Sequence, residues 1–401
     1  MKKLIITLII TMTFNALFAQ MQWRYNRTGI YENEKGLLRV WPDTGPELLW
    51  FFDGLGEGHS SVSISNEKVY ITGSLDGKGH LFVFDLNGKL LNKTMYGDEW
   101  TENYVGTRSM PNISNGKIYI ISGAGDLICW DESTLDVLWK RNIFVDFESK
   151  NITWGFNESP LLVGEKIIAT PGGATHNIVA LNKNTGELIW SSPGKGELSA
   201  YCSPLYIGEL ETPLIVTMTT EHILGLEAST GKLLWSFENK NRNSIHANTP
   251  VYANNRVLIT SVDKGCTMLH LSDGGRKAEI VWELPELDNM MGALVKIGDY
   301  LYGSGSGYKE RVWYCVDWNT GKVQYKEKGL AMGATIYADE RFYCYTDKGE
   351  MALVNASPEK FEIVSKFMIT KGTEQHWAHP VIHRGVLYVR HGDSVMAYKI
   401  K

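Results

Sequence analysis

A phrase of eleven residues recurs along the chain and constrains its fold more than any other feature. The clearest copies are ALNKNTGELIW (Ala180 to Trp190), GLEASTGKLLW (Gly225 to Trp235) and CVDWNTGKVQY (Cys315 to Tyr325), with a worn copy, CWDESTLDVLW, from Cys129 to Trp139. Each begins in a short apolar strand and turns at an acidic or amide residue followed by Thr-Gly. It leaves on a second strand that closes on an aromatic. Glycine supplies the positive-φ turn position, and the flanking β-branched and aromatic residues suit a pleated surface. The closing aromatics Trp139, Trp190, Trp235, Trp282 and Tyr325 stand 43 to 51 residues apart. Units of that length with several short strands each predict a β-propeller, with Trp139, Trp190, Trp235 and Trp282 buried between adjacent blades.

A second repeated segment lies upstream of each hairpin, of the form small–Pro–apolar–turn–apolar. It is clear at Ser159, Ser203, Thr249 and His379, and weaker at Ser61, Met110, Ala293 and Ala334. That makes eight units. The last stops at VMAYKIK without a closing aromatic strand, and the missing piece occurs at the other end as TGPELLWFF (Thr44 to Phe52). The expected fold is therefore all-β: an eight-bladed propeller whose N-terminal strand completes the C-terminal blade. Closure of this kind removes the edge strands that template aggregation.

Residues 20–401 are read as one such domain. Residues 1–19 are read as a cleaved signal peptide: Lys2 and Lys3, a short apolar stretch from Leu4 to Phe18, and Ala19 before the cut. No cysteine follows the cut, so no lipid anchor is expected, and the apolar run is too short to span a bilayer. These features predict a periplasmic or secreted protein with no transmembrane segment. A net charge of −5 gives no basic footprint and argues against nucleic acid as a partner. The five cysteines are odd in number and fall one per unit, which predicts buried free thiols.

The A-x-D-x-x-T-G-K-x-x-W hairpin resembles the tryptophan-docking motif of pyrroloquinoline-quinone (PQQ) dehydrogenases. It also resembles the repeat of the outer-membrane assembly lipoprotein propeller, which carries no cofactor. A closer likeness is to exported PQQ-like propellers that open with W-x-x-N-R-x-G, then G-L-L-x-x-W-P and G-P-x-L-L-W. Here these are Trp23, Asn26, Arg27 and Gly29; Gly36, Leu37, Leu38, Trp41 and Pro42; and Gly45, Pro46 and Trp50. The resemblance implies a fold and leaves the activity open.

The innermost strand of each propeller blade begins near a mouth of the central channel, so residues just before the repeated Pro position should converge there. Three positions back stand His59, Arg108, Asn157, Tyr201, Ala247, Met291, Met332 and Trp377. Two back add Glu158 and Asn248, and four back add His246 and His376. With Trp154 from the same face, the expected ligand-binding set is His59, Arg108, Trp154, Asn157, Glu158, Tyr201, His246, Asn248, His376 and Trp377. Glu158 beside Asn157 suggests a Ca²⁺ site, but one carboxylate is thin for an oxygen cage. An ion pair with Arg108 on the neighbouring blade is preferred. The three histidines are read as lining a wet funnel, not as metal ligands, and His379 as packing under the rim.

Two functions remain. The first is a non-catalytic platform that binds a small anionic or sugar-like molecule, or a periplasmic protein, with no cofactor or metal and as a monomer. The alternative is a PQQ- and calcium-dependent dehydrogenase of alcohols or sugars. It would need a cationic clamp, a stacking tryptophan and two carboxylates, and a second acid is missing from the predicted set.

Overall fold

The computed structural model describes residues 22–305 and 311–401; the predicted signal peptide lies outside them. Eight four-stranded antiparallel sheets form a closed ring. Blades 1 to 7 span residues 63–98, 112–142, 161–192, 205–238, 251–284, 295–327 and 333–368. Blade 8 takes three strands from residues 381–399 and its outermost strand, Glu47–Phe52, from the N-terminal side. That strand pairs antiparallel with Ser394–Lys399, Trp50 opposite Ala397 and Phe52 opposite Val395. The predicted architecture and its closing strand are both present.

Within each blade the two middle strands are covered on both faces, as in Lys117–Ile121 and Asp126–Asp131, where Ile118 and Trp130 are fully buried. The outermost strand is half-covered, so Leu188 and Ile189 are exposed while Trp190 is buried. A bulge separates Trp190 from Leu188 in the ladder. The hairpin turn is built by its first residue. Asn182 Oδ1 accepts from the Asn184 and Thr185 amides, and Asp317 Oδ1 does the same for Asn319 and Thr320. Such side-chain turns are why Asn and Asp recur there.

The repeated aromatics join blade to blade. Trp139, Trp190, Trp235 and Trp282 donate their indole N–H to the carbonyls of Lys183, Ala228, Gly275 and Trp318 in the following blade, at 3.0–3.3 Å. Trp50 does the same from blade 8 to Leu86 of blade 1, at 2.9 Å. Trp139, Trp190 and Trp235 are buried as expected. Trp282 is not: part of its ring stays open to solvent, although it lies over the next turn like the others.

The turn glycine has a second role besides its φ of 73° at Gly186. A Cβ there would lie 2.8 Å from the Trp139 ring, so the incoming indole needs a bare backbone. The worn copy confirms the logic. Leu135 holds the left-handed turn position (φ 61°), and the preceding blade has Asn92, not an aromatic, at the docking register. With no indole arriving, Leu135 packs into the gap itself. Between blades 7 and 8 the repeat offers Ser365, and Trp41 of the N-terminal segment fills the place, against Tyr343 and Phe367. All five cysteines are free and buried, as expected.

The segment carrying Trp23, Asn26, Arg27 and Gly29 lies across the ring, tied to blades on opposite sides of it. Arg27 donates to the Ser159 and Pro160 carbonyls of the blade 3 entry strand, and Gln22 exchanges hydrogen bonds with the Leu162 backbone. Arg24 donates to the Thr335 carbonyl of blade 7, and Ile30 bridges to Tyr337 beside it. Blades 3 and 7 are four places apart in a ring of eight, hence diametrically opposed. Both guanidiniums are buried, and Arg24 to Arg27 all take left-handed backbone, φ 43–68°. L-residues avoid that conformation by about 1–2 kcal/mol each, so the cross-channel hydrogen bonds must outweigh a real local cost.

Candidate functional site

A pocket of about 460 Å³ opens at one mouth of the channel, and Trp23 of the crossing segment lines it. The other lining residues come from the blade entries. Seven of the eight residues three positions before the repeated Pro place line it: His59, Arg108, Asn157, Tyr201, Ala247, Met291 and Trp377. The residues one position before it, Ser61, Ser159, Ser203 and His379, line it as well. Of the described residues two and four back, Met290 alone lines it. Successive side chains of an extended chain point to opposite sides, so at the other entries one parity faces the pocket and the other faces between blades.

That alternation corrects four expected site residues. Glu158 is fully buried with Oε2 accepting from the Thr170 amide. It makes no ion pair with Arg108; the cation that acts on it is Arg27. His246 is buried, its Nε2 donating to the Thr220 carbonyl at 3.2 Å and its Nδ1 meeting the Ser261 hydroxyl at 2.9 Å. Asn248 stitches blade 5 to the blade 6 entry through the Asn289 carbonyl and the Ala293 amide. His376 bonds the Tyr345 hydroxyl and stacks on His391 at 3.6 Å. Trp154 lines the pocket. His379, read as packing under the rim, lines it too and sets its ring edge-on to Trp23 at 5.1 Å. Sequence reasoning also passed over Trp23, Asn243, Ile245 and Met290 as site residues. Trp23 carried a signal in the N-terminal motif, but nothing in the sequence placed that motif in the channel.

The pocket has two aromatic walls. Trp377 lies 4.9 Å from both His59 and Tyr104, centroid to centroid, and Trp154 lies 6.2 Å from Tyr201. Arg108 stands between these walls in blade order. Its Nη2 donates to the Asn103 and Tyr104 carbonyls, while Nη1 is buried with no partner among the described residues. Gly155 (φ 78°) makes room for it, since a Cβ there would meet Arg108 Nη1 at 2.6 Å and the Trp100 ring at 2.5 Å. Burial lowers the guanidinium to about 10, so it stays cationic at neutral pH, and Glu99 is the main group that supports its charge. His59 is lowered to about 3, by desolvation first and then by Arg390 and Arg108, and neither of its ring nitrogens has a partner among the described residues. Arg108 is thus the one formal charge among the described lining residues.

Among the described residues no lining side chain is acidic, and no group of three or more His, Cys, Asp or Glu could hold a metal ion. Ca²⁺ is usually held by oxygen ligands that include carboxylates, whereas the described lining offers neutral oxygens, from Asn157, the three serines and the two tyrosines.

A closed ring of eight four-stranded blades is the architecture of the PQQ-like class of propeller. The family described as outer membrane protein assembly factor BamB matches residues 47–327, and the chain belongs to that family. No curated protein sequence matches it. Among solved structures, BamB from Moraxella catarrhalis is similar at 15% identity and TM-score 0.59, covering 86% of this chain and 99% of its own. A europium-containing methanol dehydrogenase is similar at 13% and 0.63, covering 93% and 90%. Quinohemoprotein alcohol dehydrogenase from Comamonas testosteroni stands at 13% and 0.62, covering 93% and 79%. At these identities the likeness speaks for the fold alone. No helix among the described residues is long and apolar enough to cross a membrane.

The buried titrating groups make stability depend on pH with two opposing signs. His59, His246 and His376 fall to about 3, 4 and 4 from an ordinary 6.5, each chiefly through desolvation. Below 6.5 the unfolded chain binds protons that the native state refuses, so stability falls as pH drops. Glu158 rises from 4.5 to about 8 through desolvation. The native state keeps this proton where the unfolded chain has lost it, so this contribution falls as pH rises from 4.5 to 8. Glu99 shifts in the same direction. Three histidines outweigh two carboxyls at acid pH, and the carboxyls act alone above it. The melting temperature is expected to peak at about pH 6.5, and Glu158→Gln should flatten the alkaline limb and steepen the acid limb above pH 4.5. An equally steep alkaline limb in that variant would remove Glu158 as its cause.

Proposed function

We propose that this protein is an exported, non-catalytic PQQ-like propeller that serves as a binding platform, with the pocket at the channel mouth as its small-molecule site. The observation that carries this reading is the lining itself: aromatic walls and one half-buried cation, with no carboxylate among the described residues to act as base or metal ligand. Sites of this kind, mostly apolar with few convergent polar groups, are the usual form of a ligand pocket. Membership of the BamB family supports a platform that also meets a protein partner, and Lys2, Lys3 and the apolar run to Phe18 support export to the periplasm or beyond. The chain is taken to act as a monomer.

The alternative, a quinoprotein dehydrogenase of alcohols or sugars, draws on the shared fold and on Arg108 and Trp377 as clamp and stacking face. The two readings separate in one experiment. The purified protein, incubated with PQQ and Ca²⁺, is expected to show no bound-quinone absorbance after desalting, no stoichiometric calcium and no dye-linked oxidation of alcohols or aldoses. Turnover with any of these substrates would establish the enzyme instead.

A further inference from the structure

We propose that the pocket takes a ring-bearing monocarboxylate with an apolar far end, in chemical terms an aryl carboxylate; this rests on the binding-platform reading. The argument is the direction of polarity across the pocket. Arg108 enters from blade 2, while Met290 and Met291 enter from the approach to blade 6, four places round the ring and therefore opposite. Ile245 and Ala247, from the approach to blade 5, extend the apolar side, with Asn243 its one polar neighbour on that approach among the described residues. The pocket thus has a cationic pole and an apolar pole, with flat aromatic faces between them.

Each part of such a ligand meets a matching surface. A guanidinium fork suits a carboxylate, and one formal charge on the lining calls for one on the ligand. A planar ring fits the walls formed by Trp377 with Tyr104 and by Trp154 with Tyr201, where offset or edge contacts between rings are favourable. A sugar acid fits less well. Its hydroxyls run round the whole ring, and those facing Met290, Met291 and Ile245 would lose water without gaining partners, which costs affinity. The two pocket histidines do not alter the charge count, since burial holds both His59 and His379 neutral. A ligand with an acid at one end and an alkyl group at the other matches both poles at once.

The test is isothermal titration with 4-propylbenzoate, 4-propylbenzyl alcohol, glucuronate and glucose. The benzoate is expected to bind at least about tenfold more tightly than the alcohol, the usual scale of a charge-assisted hydrogen bond, and more tightly than either sugar. Arg108→Gln should erase the difference between acid and alcohol. Arg108 also holds the Asn103–Tyr104 loop, so a second variant keeps the test independent of that loop. Met291→Gln, at a half-exposed side chain, should weaken the benzoate and narrow its lead over glucuronate. Glucuronate or glucose binding as well as the benzoate would overturn the ligand class and leave the platform reading standing. Binding of none of the four would overturn the class, and PQQ-dependent turnover would overturn the platform reading by itself.

Discussion

A chain that begins at Asp53, lacking both the cross-channel segment and the closing strand, is expected to lose cooperative folding and to aggregate. Its blade 8 would keep three strands, leaving the Ser394–Lys399 edge unpaired along the length that now bonds Glu47–Phe52. Open edges of this kind recruit other chains. The loss is also a loss of core. Phe52 packs on Phe82 and Phe84 of blade 1, and Trp50 on Phe84 and Tyr388, so the seam between the last blade and the first would open to water. Arg27 and Arg24 would no longer join blade 3 to blade 7. Size-exclusion chromatography and a thermal melt decide it. A monomer that melts cooperatively near the parent temperature would show that the ring closes without its N-terminal strand.

The second large effect belongs to a docking indole. Trp235→Ala should destabilise the protein by about 3–5 kcal/mol, the usual range for removing a buried large aromatic. The ring is buried and lies against Gly225 of its own sheet, and its N–H reaches the Gly275 carbonyl of the next blade at 3.1 Å. Trp235→Phe keeps much of the packing and loses the hydrogen bond, so it should cost clearly less than the alanine variant. Denaturant unfolding measures both. An alanine variant as stable as the parent would mean that blades cohere without this contact.

The blades were legible because their chemistry is local. A Thr-Gly turn, an Asx side chain that bonds its own loop and an aromatic at fixed spacing all act within a dozen residues, and they repeat. Ring closure was legible for a related reason: the eighth unit lacks a strand, and the only spare copy of that strand lies at Thr44 to Phe52. The departures at Leu135 and Trp41 were not legible. Each answers a neighbour's substitution, Asn92 in one case and Ser365 in the other, and only packing shows which neighbour that is.

The pocket divided along the same line. The three-back residues His59, Arg108, Asn157, Tyr201 and Trp377 converge because the ring repeats one geometry eight times. Glu158, Asn248, His246 and His376 share their blade entries but sit on the other parity of an extended chain, where they meet the next blade and not the channel. The alternation is itself a sequence-level rule, and counting with a step of two would have set these four apart, although Met290 and Trp154 reach the pocket from the other parity.

The sequence by itself determined how many blades there are, where each turns and which strand closes the ring, since these follow from short-range turn chemistry and a repeated pattern. Tertiary structure alone decided that Trp23 to Gly29 cross the channel, that the cation acting on Glu158 is Arg27 and not Arg108, and that a cationic pole stands opposite an apolar one. Those facts depend on which residues meet across the diameter of the ring. Residues more than a hundred positions apart, such as Arg27 and Ser159, become neighbours only when all eight blades have closed.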